Sequence, residues 1–168
     1  DDLSLTGGTA TFSDKTVANG KTVTLTGATL SGADAGNYNL VSVNTTTANI
    51  TAFDVTGSFA ADNKIYDSTT SAVVTTDSRS VAVVFTGDDL SLTGGTATFS
   101  DKTVANGKTV TLTGATLAGA DAGNYNLVSV NTTTADITAF DVTGSFAADN
   151  KIYDSTTSAV VTTDSRSV

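Results

Sequence analysis

The chain aligns with itself. The stretch "DDLSLTGGTATFSDKTVANGKTVTLTGATL" opens at Asp1 and again at Asp88, and the same offset of 87 residues holds to the last residue. Two aligned positions differ, Ser31 against Ala118 and Asn49 against Asp136. A period this long exceeds a solenoid turn and suits one small domain per repeat. Whatever fold the chain adopts must therefore close its core within one period and tolerate an identical neighbour at each end.

The apolar pattern places the seams. Along "TTTANITAFDVTGSFAADNKIYD" the inward positions are even at Ala48, Ile50 and Ala52 and odd at Phe53, Val55 and Phe59. A one-residue shift moves the buried set to the other face of a strand, which fits a strand leaving one core and entering the next. The expected division is the end of one domain (1–53), a complete domain (54–140) and the start of a third (141–168). No Pro or Gly/Ser-rich linker lies between them, so the copies should form a semi-rigid rod.

Thr and Val are abundant and no segment keeps a helical period, which favours strands and turns. Strands are expected in the complete domain near 54–60, 63–67, 71–75, 81–86, 89–93, 96–100, 108–113, 115–118, 124–130 and 133–139. Gly94-Gly95 reads as a turn and Asn106-Gly107 as a tight hairpin turn. The expected core is Val55, Phe59, Ile65, Val73, Val83, Phe85, Leu90, Leu92, Phe99, Val110, Leu112, Leu117, Tyr125, Leu127 and Ile137.

The repeated "GADAGNYNL" is an Asp-containing corner followed by a strand. It is similar to the tyrosine corner of immunoglobulin-like sandwiches, in which the Tyr hydroxyl bonds backbone upstream and the position two later faces the core. Here those residues are Tyr38 with Leu40, and Tyr125 with Leu127. The fold class expected is all-β, as tandem immunoglobulin-like β-sandwich repeats.

Composition narrows the chemistry. The chain has no His, Cys, Met, Trp or Pro, all its acid is Asp, and its net charge is −9. Without His or Cys, the commonest general base, the thiol nucleophile and the usual zinc ligands are missing, so an enzyme is not expected. The acidity and the lack of Lys/Arg clusters argue against nucleic acid. No apolar run is long enough for a membrane-spanning helix. Calcium is the ion that Asp oxygens would suit, and Asp88, Asp89, Asp121 and Asp141, in or near turns or a junction, are the candidate ligands. No Asp-x-Asp-x-Asp loop accompanies them. An acidic, Cys-free surface is compatible with an extracellular bacterial protein.

The motif "NKIYDSTT" at 63–70, the long stretch from Gly87 to Val130 and the closing "ADITAF" resemble the YDG domain over essentially the whole period. One departure is visible: Ser68 stands where the family has the Gly of Tyr-Asp-Gly, and Ser155 does so in the partial copy. The resemblance implies tandem arrays in large, secreted, filamentous-haemagglutinin-like bacterial adhesins, with the repeats as stalk or spacer. It supplies no catalytic residue. A structural stalk at the cell surface is the leading expectation; a repeat module binding calcium, a glycan or a neighbouring cell is the alternative. Its expected partners are neighbouring copies of the same repeat, head to tail, with the tail of one chain (141–168) completing the head (1–53) of another.

Overall fold

The computed structural model describes residues 1–163 and 166–168. The chain is all-β, with two single 3-10 turns as its helical content among the described residues. Strands β1 (Ser4–Phe12), β2 (Ala18–Ser31) and β3 (Thr46–Ile50) form one antiparallel sheet in that order. The next strands are β4 (Phe53–Ser58), β5 (Lys64–Ile65), β6 (Ser71–Ala72), β7 (Ser80–Val81), β8 (Ser91–Phe99), β9 (Ala105–Ala118), β10 (Tyr125–Val130) and β11 (Thr133–Thr138). They form a three-stranded sheet, β10-β4-β7, and a five-stranded sheet, β5-β11-β9-β8-β6. β4 runs parallel to β10, and β5 runs parallel to β11.

Phe59, Ala97, Phe99, Val110, Leu112, Ala135 and Ile137 make the core, with Tyr66, Ala72, Val74 and Val130 packed against it. The second sheet is held closely, since a Cβ on Gly57 of β4 would meet Leu92 of β8 at 2.9 Å and Val130 of β10 at 3.2 Å.

Four expected core residues face outward: Ile65, Val73, Val83 and Phe85. The reason is strand phase. Ala61 bridges Val74, which turns Ala72 and Val74 inward and Val73 out. Around β5, Lys64 and Tyr66 lie on the sheltered side and Ile65 on the exposed one. The Lys64 ammonium is itself used there. It bonds Asp67 Oδ1 at 2.7 Å, the Thr69 carbonyl at 2.9 Å and the Ser71 carbonyl at 3.0 Å, and lies 5.6 Å from the centre of the Phe99 ring.

The strand segmentation also differs from expectation. The pairs 89–93 with 96–100, and 108–113 with 115–118, are single long strands, and 81–86 contributes only the end of β7. Gly94-Gly95 is no turn: both residues have positive φ within β8, opposite Gly114 at φ +74° on β9, and bend the hairpin across both strands. Asn106-Gly107 makes a β-bulge in β9 against β11. The hairpin reverses instead at residues 100–104, where Asp101 Oδ1 accepts the Thr103 N–H at 2.8 Å. That side-chain turn takes the place of the Asn-Gly turn.

The bulge explains one of the two differing positions. The Gly107 N–H donates to Asp136 Oδ1 at 2.7 Å, and Gly20 donates to Asn49 Oδ1 at 2.8 Å. Asp and Asn both present an acceptor oxygen, so the exchange leaves the bulge intact. Asn49 is exposed but Asp136 is half-buried, as is Ala118, whereas Ser31 is exposed. Read from the sequence, Ser31/Ala118 at a turn edge and Asn49/Asp136 on the odd face of a strand are expected to be solvent-exposed; that holds for Ser31 and Asn49 and not for Ala118 and Asp136.

Ser68 and Ser155 take φ of +64° and +61°. The backbone thus keeps the left-handed geometry that Gly favours, although Ser has a Cβ. Ser68→Gly is expected to stabilise the fold by about 0.5–1 kcal/mol, the left-handed penalty less the added entropy of Gly. A urea titration in which the midpoint falls would contradict this.

Near-identical sequences with and without neighbours provide an internal comparison. "YNLVSV" is strand β10 at 125–130, beside β4, and is not a strand at 38–43. "FDVTGS" is β4 at 53–58 and is not a strand at 140–145. The β1–β2 register repeats that of β8–β9: Phe12 opposes Val23 as Phe99 opposes Val110. Hairpin pairing is thus local, whereas β4 and β10 require each other.

Candidate functional site: the joint between copies

The contacts that most concern function lie where residues 1–50 meet the strands that follow. Only Thr51 and Ala52 separate β3 from β4. The β1–β2 loop supplies the rest. Asp14 Oδ1 accepts the Thr16 N–H at 2.9 Å and also bonds the Thr16 hydroxyl and the Lys21 ammonium. This knot leaves Lys15 and Val17 free to reach forward. Lys15 Nζ bonds Asp88 Oδ1 at 2.7 Å, and the Val17 N–H donates to Asn124 Oδ1 at 3.0 Å.

Asp88 links the joint to the corner. Its other oxygen accepts the Tyr125 hydroxyl proton at 2.8 Å, and the same hydroxyl accepts the Phe85 N–H at 3.1 Å. The Tyr125 hydroxyl therefore does bond upstream backbone, at Phe85, 40 residues earlier in the chain. Tyr38 has no such backbone partner; its hydroxyl bonds Asp1 Oδ2 at 2.5 Å. Phe53, Phe85 and Tyr125 pack edge-on or tilted, with Phe53 and Phe85 ring centres 5.0 Å apart. Phe85, exposed and outside the core, is thus a joint residue.

Charge follows geometry. The Lys15 ammonium, and after it the Tyr125 hydroxyl, hold the Asp88 carboxyl below the usual carboxylate range. Asp88 in turn raises Lys15. Burial of the ring, more than any partner, raises the Tyr125 hydroxyl. The Lys15 side chain is 73% exposed and that of Asp88 only 9%, so solvent weakens the ion pair, while the sheltered Asp88–Tyr125 bond, which lies within one copy, holds the Asp88 carboxylate where Lys15 reaches it.

The four acidic candidates divide. Asp88 is bound to Lys15 and Tyr125. Asp89 and Asp121 clasp each other through backbone: Asp89 N–H donates to Asp121 Oδ2 at 2.9 Å, Ala120 N–H to Asp89 Oδ2 at 3.1 Å, and Asp121 N–H to the Asp89 carbonyl at 3.1 Å. Asp141 is exposed and lies outside this group. Among the described residues no group of three or more carboxylates is arranged to hold a metal ion. Lys15, Val17 and Asn124 escaped the sequence reading, because nothing local marks residues that meet across 107 positions.

The fold is that of an all-β protein. The chain belongs to the YDG domain family, whose model matches residues 1–48 and 46–135. Neither a curated protein nor a solved structure matches it significantly.

Proposed function

We propose that the chain is a piece of stalk: a non-catalytic spacer, secreted or on a bacterial cell surface, whose repeats set length and stiffness for an adhesin or filament. In this reading each copy is an immunoglobulin-like sandwich, and the array is tandem. The joint carries the proposal. A two-residue connection, the Lys15–Asp88 pair and the Val17–Asn124 hydrogen bond favour one angle between neighbours, as a spacer requires and a string of independent binding modules does not. Near-identity of the copies fits a role in which their number matters more than any one of them.

The joint has a pH window. Asp88 is depressed in the folded state, so its contribution is present above about pH 4, the unfolded value, and is lost as pH falls through the lower folded value. Lys15 is raised, so its contribution is present below about pH 10.4 and is lost as pH rises through the higher folded value. Asp88→Asn is expected to loosen the joint at neutral pH without unfolding either sheet. Small-angle scattering should then give a larger spread of dimensions than the unmodified chain, while circular dichroism stays unchanged. An identical scattering profile would remove the joint from the account.

A further inference from the structure

Tension along the chain crosses the complete copy between two fixed points. It enters at the first residue of β4, which follows β3 after Thr51 and Ala52, and leaves at the last residue of β11. What joins those points decides whether the copy peels or holds. A hairpin pulled at its adjacent ends opens one bond at a time. Two parallel strands pulled at opposite ends slide along each other, and their evenly spaced bonds must stretch together.

Both strands at the entry pair in parallel with both strands at the exit. β4 runs beside β10, with Phe53 opposite Tyr125, Val55 opposite Leu127 and Gly57 opposite Val130. β5 runs beside β11, with Lys64 opposite Ile137 and Ile65 opposite Thr138. Only Asn131 and Thr132 separate β10 from β11. A pull on the chain therefore draws β4 and β5 towards their N-termini, and β10 and β11 towards their C-termini. The two pairs lie in different sheets, so each sheet has one pair loaded in shear.

Further bonds cross the same pairs. Asn126 Nδ2 donates to Asp54 Oδ1 at 2.8 Å, and the Asn131 N–H to the Gly57 carbonyl at 2.9 Å. In the other pair the Asp136 N–H donates to Asn63 Oδ1 at 2.7 Å and the Tyr66 N–H to the Thr138 carbonyl at 2.8 Å. Val55, Tyr125 and Ile137, on these strands, are buried. Their burial keeps water from the stretched groups, and a group that loses its partner away from water bears the full desolvation cost.

We propose that the copy is a tension-bearing unit, with the β4–β10 and β5–β11 pairs as its clamp. Resistance to forced unfolding follows the unfolding rate, not equilibrium stability, so a small core does not forbid it. This rests on the reading of the chain as a stalk, and adds to length and stiffness a capacity to carry load.

The test pulls one protein in two directions. The chain has no Cys, so a pair of introduced cysteines fixes where DNA handles attach to the full chain. Thr51→Cys with Ala139→Cys loads both parallel pairs in shear. Thr51→Cys with Gly123→Cys draws β4 and β10 apart from the same end and unzips them. All three positions are exposed. Melting temperatures that match the unmodified chain establish that both variants fold. In optical tweezers the first variant should hold to a force several-fold above the second. It should then release in a single step that frees about 300 Å of chain, the extended length between its handles. Equal forces in the two directions, or a first variant that lengthens in small steps at low force, overturn the proposal. Residues 1–50 lie outside both handle pairs, so neither outcome decides whether the Lys15–Asp88 joint holds its angle. The stalk reading stands or fails apart from this one.

Discussion

Ile137→Ala should cost about 2–5 kcal/mol, the range for emptying a closed core site, while Ile50→Ala in the same chain should cost about 1 kcal/mol. The two isoleucines have nearly the same sequence around them. Both lie on the strand that pairs antiparallel with the long second strand of a hairpin, β3 on β2 for Ile50 and β11 on β9 for Ile137. They differ in what lies above. Ile137 is fully buried beneath Phe59 with Phe99, Val110 and Leu112 around it. Ile50 is only half-buried, so truncating it removes less apolar area from cover and leaves no enclosed cavity. The comparison holds backbone, propensity and nearly all of the flanking sequence constant, and isolates the covering segment. It should be made by urea unfolding. Equal losses at the two sites would mean that the first sheet is covered after all.

Gly119→Ala should be the most damaging small substitution. Gly119 has φ +120°, and a Cβ there would lie 2.2 Å from the Asp89 carbonyl oxygen. The backbone conformation alone costs about 1–3 kcal/mol for a non-glycine residue, and the clash is with main chain, which cannot swing aside. Relief requires opening the clasp between Asp89 and Asp121. That clasp positions Asn124 and Tyr125, so the damage should reach the joint as well as the core. Gly123→Ala, in the adjacent 3-10 turn with open space at its Cβ, should be nearly silent. Thermal unfolding of both variants checks this; a Gly119→Ala chain melting with the unmodified one would show that the corner is far softer than its geometry implies.

The strand-rich class, the repeat and the corner were legible because each is a local pattern. Strand alternation and a Tyr after an Asp-Ala-Gly turn reside in contiguous residues, and the 87-residue repeat, broken at two positions, shows on direct self-alignment. The lengths of strands were not legible, because glycines inside β8 and β9 look like turns when their partners across the hairpin are unknown. Phase at β5 was misjudged for a different reason. Ile65 is the more apolar residue, yet Lys64 points inward since its ammonium closes the loop through Asp67, Thr69 and Ser71. Asp67 is held down to about 2 chiefly by that Lys64 contact, so this loop should loosen only in strong acid. The joint was half-legible. Asp88 stood out as an acid near a turn, but as a candidate for calcium; its partner Lys15 carries no mark in the sequence.

The central claim is that neighbouring copies hold a fixed angle. Because the chain has no Cys, Thr29→Cys with Thr116→Cys gives two unique positions for spin labels, both exposed and on equivalent strands of successive copies. Pulsed dipolar distance measurement near neutral pH should return one narrow distribution, and the same pair in an Asp88→Asn background should return a wider one. A broad distribution in the otherwise unmodified chain would contradict the account, for it would leave beads on a flexible string in place of a stalk.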